Sequence, residues 1–287
     1  MAPDELRRIE DDLNRRQDEL LQANISLLQS TNAWDCANAA RALEFFGPRA
    51  VAAAPRLVEI LKAEPGWGMD KSTAARALKL LGSNAGVVTP GLIDLLQSNS
   101  INGQVCEILA NFGPPASAAV PKLQALLATN FVMKPFPDEP GRKYRQEIIR
   151  RLPVARALAS INPHDTNAIA FLREAVTAKR GPNRLRRMEE DPLQTLSAAV
   201  TLWKLGLETN SPLDKVIANV EGDKAERASD LLGEIGPAAK PALPALEKRL
   251  KANPFDRHAA LAIVQIDPQE ANRIGLPGLF ILCPDRY

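Results

Sequence analysis

The 287-residue chain holds few residue types able to do chemistry, and their spacing argues against an active site. It has two histidines, His164 and His258, and three cysteines, Cys36, Cys106 and Cys283. Asp165 stands beside His164, a pairing that could serve acid–base catalysis. Both residues follow Asn162-Pro163 at a predicted helix start, where an Asp is expected as a cap for free backbone N–H groups. Cys106 falls in a recurring column of small residues, so a buried thiol is expected. Cys-x-x-Cys, His-Glu-x-x-His, EF-hand, P-loop and Gly-x-Gly-x-x-Gly patterns are missing from the sequence. Metal, nucleotide and nucleophile chemistry find no motif. The expectation is a chain that is not an enzyme, with no cofactor and no metal.

The elements around these residues are easier to read. Hydrophobic residues make up 45% and charged residues 24% of the chain, close to an average soluble protein, which excludes global disorder. Alanine supplies 43 residues and the aromatics only 13, a balance that favours closely packed helices over strands. The net charge of +2 commits the whole chain to no polyanion. No apolar run is long enough to span a membrane, and the charged N-terminus has no signal-peptide core. Three scattered cysteines make no disulfide framework, so a reducing cytoplasm is the expected setting.

An internal repeat organises the chain. Segments 39–61, 74–96, 105–127 and 228–250 align on Gly47, Gly82, Gly113 and Gly236, with Pro55, Pro90, Pro121 and Pro244 each eight residues later. Three degenerate copies align on Asn162, Gly206 and Asp267. Four residues before the anchor stand Leu43, Leu78, Leu109, Leu158, Leu202, Leu232 and Ile263. Seven before it stand Ala40, Ala75, Cys106, Ala155, Ala199, Ser229 and Ala260. Further apolar columns fall one residue before the anchor and ten and fourteen after it. Apolar positions three and four apart make one helical face, so each unit reads as two amphipathic helices. The anchor Gly or Asn is expected to end the first helix in the left-handed conformation, and the proline to open the second. One such hairpin cannot bury its apolar face alone, but stacked copies can.

These columns resemble the HEAT-repeat family, in its short bacterial, phycobilisome-lyase-like form, over roughly residues 33–275. The resemblance implies an all-α fold: an α-α superhelix, or solenoid, of about seven helical-hairpin units. Family units often place Asp early in the first helix and Arg six residues later. Asp35/Arg41 and Asp70/Arg76 match, whereas Ile101/Glu107, Arg150/Arg156 and Lys224/Asp230 depart from it. A ladder of Asp–Arg contacts is thus implied for the first two units alone. Residues 1–32 are expected to form a charged helix capping the array, and 276–287 a tail too short for a normal second helix. Insertions are expected at 130–151 and 179–190, and Pro153 is expected to end or kink the helix that begins near residue 142.

The candidate binding residues lie in the inserted and inter-unit segments. Trp67 reads either as an aromatic anchor for a partner or as a ring lying over its neighbours. Residues 134–187 hold 13 basic and 5 acidic side chains, a local balance of +8. Arg142, Lys143, Arg145 and Arg150 precede the fourth unit, and Lys179, Arg180, Arg184, Arg186 and Arg187 follow it. These residues and Trp67 are expected on one edge of the array, where they would attract an acidic partner. The leading expectation is a monomeric, non-catalytic protein–protein interaction scaffold. Nucleic-acid or polyanion binding through residues 142–187 is the alternative. The repeat subtype implies a third, a bilin-lyase-like or chaperone-like subunit.

Overall fold

The computed structural model describes residues 3–63, 71–96, 102–128, 140–177 and 192–276, with backbone alone at 3–10, 13, 83–85, 102, 140–150 and 192. The regular structure among the described residues is entirely helical. A leading helix, α1 (Pro3–Leu27), precedes paired helices. The pairs are α2 (Ala33–Phe46) with α3 (Ala54–Lys62), α4 (Lys71–Leu80) with α5 (Thr89–Leu95), and α6 (Asn102–Phe112) with α7 (Val120–Ala128). They continue with α8 (Pro140–Ile161) and α9 (Thr166–Thr177), then α10 (Pro192–Lys204) and the short α11 (Leu213–Ile217). The last pairs are α12 (Ala225–Ile235) with α13 (Leu243–Ala252), and α14 (Arg257–Ile266) with α15 (Pro268–Arg273).

Within four pairs the connection is the same. The anchor glycine takes positive φ, at +51° in Gly47, +64° in Gly82 and Gly113, and +73° in Gly236. Only glycine enters that region without steric cost. The chain then winds through a 3-10 segment: Gly47–Ala53, Gly82–Val88, Pro114–Ala119 and Gly236–Ala242. Pro55, Pro90, Pro121 and Pro244 follow in the first turn of the second helix, where a missing N–H costs nothing. The first three 3-10 segments stack in order. Gly86 is needed in that stack, because a Cβ there would lie 2.8 Å from the Cβ of Pro115.

One local expectation fails, and so does one of the two alternatives for Pro153, an end rather than a kink. No residue other than glycine has positive φ among the described residues, so Asn162 does not adopt the left-handed conformation. Pro163 restricts the residue before it toward extended backbone, and the Asn162 carboxamide instead accepts from the N–H of His164 at 3.3 Å. Pro153 does not end its helix either, for α8 runs through it to Ile161. The lost backbone bond is offset by burial of Leu152, Val154, Ala155, Ala157 and Leu158 around it. Asp267 is the N-cap of α15, accepting from the N–H groups of Gln269 and Glu270, so the last pair has almost no connection.

The apolar columns form the core. Leu43, Leu78, Leu109, Leu158, Leu202, Leu232 and Ile263 are all fully buried. So are Leu57, Leu92, Leu123, Leu172, Val216 and Leu246 from the second helices. Of the small column only Ala199 is partly exposed. Each first helix packs on the next, from α2 through α4, α6, α8, α10 and α12 to α14. Small residues at the crossings let these helices approach closely. The second helices α3, α5, α7, α9, α11 and α13 each pack against the first helix that follows. Helix α1 lies against α2 and the first 3-10 segment through Leu21 and Leu28, with Arg49 donating to Asp18 at 2.5 Å. The chain order closes back on itself where α14 also touches α2.

Candidate functional site

The contact between the last helices and the first gathers charged side chains far apart in sequence. The first helices turn their leucine columns toward the second helices. Another face, defined by residues six and two or three before the anchors, carries Arg41, Glu44, Arg76, Lys79, Glu107, Arg156, Lys204, Asp230 and Glu234. Helical spacing of three and four stacks these residues into short polar stripes. The carboxylate of Glu234 on α12 receives Lys79 of α4 and, at 2.7 Å, Arg156 of α8. Arg156 also donates to Thr201 on α10 at 3.2 Å, and Lys204 donates to the backbone carbonyl of Glu234 at 2.5 Å. Three other first helices are thus tied to Glu234 of α12.

A second cluster sits one turn away, at the start of α14. Arg257 donates through Nε to Glu44 at 2.9 Å and through its terminal nitrogen to the carbonyl of Arg41 at 2.8 Å. Its guanidinium lies 5.8 Å from the centre of the Phe45 ring. His258 holds Nδ1 2.7 Å from Asp230, while Nε2 lies 3.5 Å from Arg76 and 3.6 Å from Glu226. A cavity of about 160 Å³ separates the walls, with Arg76, Lys79 and Glu107 on one side and Asp230, Glu234 and Gln265 on the other.

Burial sets the electrostatics. Burial opposes the Glu234 charge, yet the Lys79 and Arg156 cations and their hydrogen bonds outweigh it and hold its pKa down to about 2. Burial also opposes the Lys79 charge, but Glu234, Glu107 and Asp230 raise its pKa above the ordinary lysine value. Glu44 goes the other way: burial pushes its carboxyl up, and Arg257 and Arg76 offset only part of that. Its Oε1 meets no hydrogen-bond donor among the described residues. Burial lowers the Lys204 and Arg257 pKa values as well, against the pull of Glu234 and Glu44 respectively.

The candidates named from sequence fall elsewhere. Trp67, Lys179, Arg180, Arg184, Arg186 and Arg187 lie outside the described residues. Arg142, Lys143, Arg145 and Arg150 ride on α8, but their side chains lie outside the described ones. Asp165 is a cap, accepting from the N–H of Ala168 at 2.9 Å and from Gln124 at 2.7 Å, while His164 is exposed. Cys106 is buried, and burial pushes its thiol up to about 12. The Arg41 guanidinium donates to Asn38 at 3.1 Å, and Asp70, the other acid of the expected Asp–Arg ladder, lies outside the described residues. Arg76 faces His258 at 3.5 Å. The charge network was missed in sequence, although one signal existed. The position six before the anchor reads Arg41, Arg76, Glu107, Arg156 and Asp230, and the two acids that depart from the family pattern stand among its basic partners.

Among the described residues no group of three His, Cys, Asp or Glu side chains could hold a metal ion, and no helix is long and apolar enough to cross a membrane. No family model, curated protein or solved structure matches the chain.

Proposed function

We propose that the chain is a HEAT-like α-α superhelix acting as a non-catalytic scaffold for a protein partner. The observation that carries this reading is the repeated unit itself. Four times a first helix, a positive-φ glycine, a 3-10 segment and a proline-led second helix recur, with the same columns buried. A stack of such units presents extended surface rather than a single reacting centre. The charged side chains of the interior also bind one another: the Glu234 carboxylate already receives two cations. That arrangement supports a structural use of the charges over acid–base work. The step from repeat to scaffold is an analogy of architecture. Affinity capture with the full chain as bait, read by mass spectrometry, tests it. The expected result is a protein retained in stoichiometric amount. Retention of a chromophore or small metabolite with no protein would overturn the reading.

The +8 balance of residues 134–187 favours a second reading, in which an acidic protein surface or a polyanion is the partner. Reversing Arg184, Arg186 and Arg187 to Glu should then abolish capture at low salt, and raising the salt should weaken capture by the unaltered chain steeply. Equal capture by both proteins at both salts would leave the basic segment as solvated surface.

A further inference from the structure

The two kinds of helix contact in this molecule differ in chemistry. Successive first helices meet over small buried residues, with polar bonds such as Arg156–Thr201 beside them. The seam where α12 and α14 face α2 and α4 mixes apolar residues such as Ala75 and Leu261 with the charged pairs Glu44–Arg257 and Lys79–Glu234 and the Arg76–His258 contact. It borders a partly open cleft of about 160 Å³, where a helix contact inside a rigid core would be close-packed. One of its charges is poorly satisfied, because the Glu44 carboxylate is 1% exposed yet bonded at one oxygen only among the described residues. Charged contacts beside voids are typical of surfaces that part, since each charge regains water on separation. The chain also offers a place to bend, as α12 packs more sparsely on α10 than on α14.

We propose that this seam is an opening joint, at which the block α12–α15 swings away from α2 and α4 about its junction with α10. The Arg257–Glu44 and Lys79–Glu234–Arg156 pairs are the clasp that holds the closed form. Opening uncovers the charged faces of the first helices as a continuous surface. The joint itself rests on the seam alone and does not depend on the scaffold reading. That reading enters only in what the open surface would receive.

Arg257→Gln removes the cation from Glu44 and leaves its carboxylate to regain water by opening. Arg257→Gln with Glu44→Gln leaves no charge of this pair to hydrate. Spin labels at Ala52→Cys and Lys251→Cys, both exposed sites, report the separation of the first pair from the α12–α15 block in a Cys283→Ser background. The single variant should add a population longer by about 10 Å, one helix layer, and the double variant should lose it. Unchanged distances with helicity retained, or equal opening in both variants, would overturn the joint. Should Arg257→Gln fail to fold, Ala262→Cys in the otherwise unaltered chain decides. Ala262 is 1% exposed and lines the cavity, whereas Cys106 is 0% exposed on α6. Under native conditions the thiol at 262 should be labelled at least about 100-fold faster than Cys106, since partial opening reaches it without global unfolding. Equal rates for the two thiols would sink the proposal.

Discussion

Glu234 shows how one side chain can make stability depend on pH. Its folded pKa of about 2 lies below the ordinary 4.5, so the folded state holds the charged form more tightly than the unfolded chain does. The stabilisation is present above the unfolded value and is lost as pH falls from about 5 toward 2, and that gap corresponds to roughly 3 kcal/mol. Chemical denaturation of the wild type across this window should show the loss, and Glu234→Gln should flatten it. An equally steep acid loss in the variant would place the effect on other carboxylates. Glu44 has the opposite sign: burial raises its pKa against the pull of Arg257 and Arg76, so its contribution weakens as pH rises through the folded value. A thiol test belongs at the same scale. Burial raises the pKa of Cys36 and takes Cys106 to about 12, so in a Cys283→Ser chain neither should react rapidly with a disulfide reagent at pH 8. Stoichiometric fast labelling would contradict their burial.

At the scale of the element, glycine position decides the sign of a substitution. Gly236 ends α12 at φ +73° with open space around its missing Cβ, so alanine there suffers backbone strain alone. Gly236→Ala should cost about 1–2 kcal/mol. Gly103 lies exposed inside α6 with nothing near its missing Cβ, and Gly103→Ala should stabilise by up to about 1 kcal/mol. Thermal melts of the two variants shifting in the same direction would show that local conformation is not what separates these sites. The pairing of glycine and proline eight apart was readable because both residues act on the backbone directly. The intervening 3-10 winding was not, because alanine-rich stretches such as Ala50 to Ala54 suit either helix type.

For the whole molecule, position along the chain sets the cost of a cavity. Leu109 is fully buried in α6, between α4 and α8, and Leu109→Ala should cost about 2–5 kcal/mol. Leu21 of α1 is also buried, but among the described residues α1 packs chiefly on α2 and the first 3-10 segment. Leu21→Ala should therefore cost less, because a terminal helix can shift to close the void. Equal losses in denaturant melts would argue that α1 is as firmly integrated as the central helices.

The sequence by itself determined the helical class, the register of the pairs and most of the core. Those features depend on periods of three and four residues and on Gly and Pro, which act within one or two turns of themselves. Leu43, Leu78 and Leu109 were legible for that reason. The continuity of α8 through Pro153 was not, since it depends on the burial that surrounds the proline. The tertiary structure alone decided the charge network. Glu44 and Arg257 are 213 residues apart, and Lys79 and Glu234 are 155 apart. No local period relates such residues. Only the tertiary packing brings α14 back to α2 and sets Glu44 and Glu234 against cations from the other end of the chain.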